Sequence, residues 1–110
     1  MHMSIKSSAF ELQQRLLEIG YEEAKLEKVI EDRQLIVFTL KHKDGQEHIC
    51  HLALRDSTKL SSINALFVFG ESKTTTAACP NMEALARALW AADPYTPSDT
   101  PDFRSFTGLS

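Results

Sequence analysis

Three of the four histidines, His42, His48 and His51, fall close together in the chain. Imidazole is the commonest side-chain ligand for zinc and copper, so a metal centre is the first chemistry these residues suggest. The second candidate is Cys79, which immediately precedes Pro80 at the start of an expected helix. Backbone N–H groups and the helix dipole at such a position stabilise a thiolate. Lys73, Thr74, Thr75 and Thr76, just upstream, extend this to a loop that could hold a small anion. Against catalysis, no general base is tied to Cys79 by spacing, and the loop lacks the glycines of a phosphate cradle. No G-x-S-x-G, H-E-x-x-H or P-loop pattern occurs. The balance is against an enzyme, no cofactor is expected, and Cys79 is kept only as a low-ranking catalytic candidate.

Whether the histidines can meet depends on the strands that carry them. Gln34 to Leu54 reads as two β-strands joined at Asp44-Gly45, a strong hairpin signal. A two-residue type I′ loop would pair Phe38 with His51. A three-residue Lys43-Asp44-Gly45 loop, with Gly45 left-handed, would pair His42 with Gln46 and Phe38 with Cys50. The second register gathers Ile36, Phe38, Leu40, Cys50, Leu52 and Leu54 on one face. Burial of one face is what specifies register, so the three-residue loop is expected. His42 and His48 then share a face with Cys50, while His51 points the other way. With no aspartate or glutamate fixed beside them, the expectation is a solvated pair at the hairpin end. No metal is expected, and His42 and His48 remain the low-ranking candidates for one.

The other elements follow from periodicity. Residues 8–19 form an amphipathic helix, with Ser8 and Glu11 matching a capping box and Gly20 at its C-terminal end. Residues 21–32 alternate Ala24, Leu26 and Ile30 with Lys25, Glu27 and Glu31, which favours a charged edge strand over a short helix. Ile63 to Gly70 is apolar on both sides and gives a fourth strand. ESKTTTAACP reads as a loop, and Asn81 to Ala92 as a second helix stopped at Asp93-Pro94. The fold class predicted is α+β: a four-stranded antiparallel sheet with an N-terminal and a C-terminal helix on one face, in the order α-β-β-β-β-α. Residues 1–93 make one domain, with 1–6 a tag remnant or flexible N-terminus. Residues 94–110 form a proline-containing tail, flexible or docked on the domain or a partner.

This order of elements, together with GESK at Gly70 to Lys73, resembles double-stranded-RNA-binding domains. Those domains hold phosphates with basic residues at the start of the closing helix. CPNMEALAR carries a glutamate and only the late Arg87, so the resemblance implies shared architecture and not RNA binding. A net charge of −3 and a pI near 5.8 also disfavour nucleic acid, unless Lys25, Lys28, Lys41, Lys43, Lys59 and Lys73 gather on one surface. No apolar run approaches the ~18 residues of a membrane span, and no signal peptide is visible, so a cytoplasmic location is expected. Two cysteines make no disulfide scaffold.

The informative surplus is apolar. If both helices cover one sheet face, Leu35, Val37, Ile49, Leu66 and Val68 on the other need a cover as well. The tail, with Tyr95, Phe103 and Phe106, a second copy of the chain, or a target protein could provide it. The functional expectation is a small acidic, non-enzymatic protein-interaction module binding through that face or a sheet edge, with a homodimer among its forms. Small inhibitors, toxin-immunity proteins and secretion chaperones share this profile. The alternatives are a small thiol or anion-handling enzyme built on Cys79 and, behind it, a weak nucleic-acid binder.

Overall fold

Gly45 sets the register of the whole sheet. Its φ of 96° lies where only glycine is comfortable. Its N–H donates to the His42 carbonyl at 2.9 Å, and the His42 N–H donates to the Gln46 carbonyl at 2.8 Å. Lys43-Asp44-Gly45 is therefore the loop, and Phe38 stands opposite Cys50 as expected. The computed structural model describes residues 5–56, 63–76 and 79–97. Its elements are α1 (Ile5–Ile19), β1 (Glu23–Ile30), a 3-10 turn (Glu31–Arg33), β2 (Leu35–Lys41), β3 (Glu47–Asp56), β4 (Ile63–Phe69), β5 (Ser72–Thr75) and α2 (Met82–Ala92).

The α+β class and the two helices agree with the sequence reading, but the antiparallel sheet has five strands where four were expected. The strands lie in chain order β1-β2-β3-β4-β5. The additional strand, β5, is the Ser-Lys-Thr-Thr run read as loop. It pairs with β4 from Phe69↔Ser72 to Leu66↔Thr75, after a tight turn at Gly70. All four of its residues are exposed, so it carries no apolar alternation by which a strand is recognised. The 21–32 segment is the edge strand expected, shortened to Glu23–Ile30. The first helix begins three residues earlier than its capping box implied: Ser8 lies buried inside α1 and does not cap it. The second helix starts one residue later than read, at Met82, and Asn81 caps it, its Oδ1 accepting from the Ala84 N–H at 2.9 Å.

Alternation along the central strands sorts their residues cleanly. Ile36, Phe38, Leu40, Cys50, Leu52 and Phe67 are fully buried on the inner face. They pack under Leu12 and Leu16 of α1 and Leu85 and Leu89 of α2, which form one core cluster with them. The outer face carries Leu35, Val37, Thr39, Ile49, His51, Leu66 and Val68 by the same alternation. None of the helices among the described residues is long and apolar enough to cross a membrane.

The two faces should respond differently to truncation. Phe38→Ala empties a sealed core position and should cost about 3–5 kcal/mol. Its neighbour Thr39→Ala, on the outer face, should cost less than about 1 kcal/mol. Urea unfolding of the two variants compares them directly.

Candidate functional site

One end of the sheet gathers the titratable side chains. His42 follows β2, and its backbone is tied across the hairpin to Gln46. His48 sits in β3 opposite Leu40, so its ring points to the inner face. Asp93 is the C-cap of α2, where its N–H still reaches the Leu89 carbonyl at 3.0 Å while its backbone is extended. Pro94 imposes that extended backbone, since the residue before a proline is pushed out of the helical region. The same bend turns the Asp93 carboxylate into the protein, on the stripe that Leu85 and Leu89 begin.

The carboxylate is the hub. His42 Nε2 lies 2.9 Å from Oδ2, and His48 Nε2 lies 3.0 Å from each carboxylate oxygen. The Tyr21 hydroxyl, from the α1–β1 connection, donates to Oδ2 at 2.5 Å. The Tyr95 N–H donates to Oδ1 at 2.8 Å. The Asp93 side chain is 0% exposed, that of His42 2% and that of His48 14%. An ionised carboxylate only accepts, so each Nε2 carries the proton in these contacts.

Burial alone would push the Asp93 pKa up, but donors from Tyr21, the Tyr95 backbone, His48 and His42 outweigh it and hold the carboxyl below its ordinary range. Its neighbours move the opposite way. Burial, reinforced by the Asp93 charge, pushes both the Tyr21 hydroxyl and the Cys50 thiol well up, so both stay protonated. Aromatic rings wall the cluster. His48 is sandwiched between Tyr95 at 4.2 Å and Phe69 at 5.1 Å. His42 packs against Tyr21 at 4.8 Å and Trp90 at 5.5 Å. Gly20 is required here: at φ 156° a Cβ would stand 3.0 Å from the Trp90 ring.

His42 and His48 thus come together on the inner face as the register implied, but around Asp93, with His42 buried and His48 half-buried, and not as a solvated pair. Sequence reasoning took Asp93 only as a helix stop and did not connect Tyr21 with the histidines. The available signal was spacing, because Leu85, Leu89 and Asp93 recur every fourth residue along one face. His51 lies exposed on the outer face.

Cys79 is buried in a bridge to Ile63, with both backbone hydrogen bonds made at 2.7 and 2.8 Å. It precedes α2 at the end opposite Asp93, and the helix alone spans about 16 Å, so the fold does not bring Cys79 to the hairpin histidines. Lys73, Thr74 and Thr75 belong to β5 and not to an anion loop. Lys25, Lys28, Lys41 and Lys73 do share the outer face by register, but Glu27 and Glu47 interleave with them, and Lys25 approaches Glu27 to 3.9 Å. Lys43 lies in the hairpin loop, while Lys59, Phe103 and Phe106 lie outside the described residues. Arg87 on α2 is engaged by Glu83 at 2.9 Å. Among the interface candidates, Leu35, Val37, Leu66 and Val68 are half-buried and Ile49 is 50% exposed on the outer face, whereas Tyr95 stacks on His48.

Asp93→Asn replaces an acceptor-only hub by a group that donates as well, leaving buried donors facing a donor. A loss of about 1–3 kcal/mol in urea unfolding is expected. Trp90, the chain's one tryptophan, abuts His42 and Tyr21 and should report the loosening as a change in emission. Gly20→Ala should lower the same stability through backbone strain and the Trp90 contact, by about 1–3 kcal/mol. No known protein family, curated protein or solved structure matches the chain.

Proposed function

We propose that the chain is a small protein-interaction module, without chemistry of its own, that works through the outer face of its sheet. The supporting observation is the grouping of aliphatic side chains there. Val37, His51 and Val68 form one cross-strand row, and Leu35, Ala53 and Leu66 the next, with Ile49 beside them. Both helices pack on the opposite face, and no described element lies over this one. An aliphatic centre bordered by charged residues is the usual anatomy of a protein–protein contact.

The sheet edges are poorer candidates. In β1 a bulge between Leu26 and Lys28 breaks the ladder, and the exposed Lys25, Glu27 and Lys28 line that edge. The opposite edge is the four-residue strand β5. Bulges, charges and short length are the devices that keep edges from pairing with another chain. The face is therefore favoured over the edge.

The occupant proposed is a second copy. A two-fold contact puts the same patch on both sides and so demands self-complementarity. An aliphatic centre meets this by itself, and a rim carrying Lys25, Lys28, Lys41 and Lys73 alongside Glu27 and Glu47 offers both signs for cross-pairing. Light scattering after size exclusion should give twice the chain mass for the wild type. Val37→Glu and Val68→Glu, at half-buried positions outside the core, should give the single mass with unchanged circular dichroism. A wild type that stays monomeric up to its solubility limit overturns the reading.

A further inference from the structure

We propose that His42, His48 and Asp93 bind one divalent transition-metal ion of borderline softness, with zinc as the probe of first choice. Its three ligands lie on the inner side of the sheet, opposite the aliphatic face of the proposed protein contact. Two imidazoles and one carboxylate are the donor set of three-ligand zinc sites, which keep a fourth position for water or another small ligand. One ligand atom from each residue falls within 4.8 Å of the other two, the one such grouping of histidine, cysteine or acidic residues found among the described residues.

The spacing suits the ion. Bonds of ~2.0–2.1 Å in a tetrahedron put neighbouring ligand atoms roughly 3.3 Å apart. Here the Nε2–oxygen separations are 2.9 and 3.0 Å. The Nε2–oxygen pairs need to open by only a few tenths of an ångström, while the two ring nitrogens, within 4.8 Å of each other, close together as the ion replaces the shared protons. The ligands come from three places: the hairpin end, β3 and the cap of α2.

The surroundings fit as well. A ligating carboxylate is held best when outer hydrogen bonds fix it. The Tyr21 hydroxyl and the Tyr95 N–H supply such bonds to Asp93 from outside the histidine pair. Access is from the His48 side, its side chain being the most exposed of the three. A cleft lined by His48, Phe69 and Tyr95, and by Ile49, His51 and Val68 of the outer face, opens beside the exposed edge of His48.

The test is zinc titration by calorimetry on the full chain after chelator treatment, together with cobalt absorption spectra. One zinc per chain at micromolar affinity or tighter is expected, with the strong visible bands of four-coordinate cobalt and a higher melting temperature in zinc than in chelator. His48→Gln keeps an N–H toward Asp93 at a partly exposed position, so it should stay folded by circular dichroism and Trp90 emission. It should nevertheless weaken zinc by roughly tenfold or more. His2→Ala should leave binding unchanged. The proposal is overturned if uptake is not saturable at one ion per chain. Retention of uptake in folded His48→Gln, or its loss in His2→Ala, overturns it equally.

Discussion

Removing a carboxylate from water costs several kcal/mol unless charge or hydrogen bonds replace the lost hydration. Asp93 has no exposed side-chain surface, and four donors from four separate segments supply that replacement. The constraint is mutual. Tyr21 fixes where the chain leaves α1, His42 and His48 fix the hairpin end, and Tyr95 fixes the chain beyond α2. Each segment is held by a group that cannot be left unpaired. The aromatic packing of Trp90 against Tyr21 and His42, and the glycine at position 20, follow from fitting these segments around one buried charge.

The two sides of the sheet have separate tasks because strand alternation permits it. Inner residues make the core and the Asp93 cluster, while outer residues are left to make an external surface. The hairpin loop guards this division. A slip of one residue would send His48 to the outer face and put Ile49 and His51 toward the helices. Gly45, by admitting the three-residue loop, holds both the core and the cluster in register.

Much of this was legible in the sequence, and the gaps have physical reasons. The hairpin register could be read because one choice separates apolar from polar residues and the other does not. The edge strand β1 showed itself by lysine and glutamate alternating with aliphatic side chains. The strand β5 was hidden because it buries nothing, leaving only a few threonines to mark it. Ser8 and Glu11 matched a local capping pattern, but α1 continues past them toward Ile5, where Ile5 and Ser8 face the core layer. The histidine pair was found by strand geometry, yet its environment was misread. The group that completes it lies 45 residues beyond His48, and no local rule joins a hairpin to a helix cap at that distance.

A meander in which every strand neighbours its predecessor has mostly local contacts, and its loops close at small entropic cost. The contact between Tyr21 and Asp93 is of another kind, because it spans 72 positions. Successive hairpins can assemble as the chain lengthens, but that link waits until α2 has been made and docked. Until then the hydroxyl and the two rings have no carboxylate to receive them. The cluster therefore joins the connection after α1 to the end of α2, a link that forms only once α2 has docked.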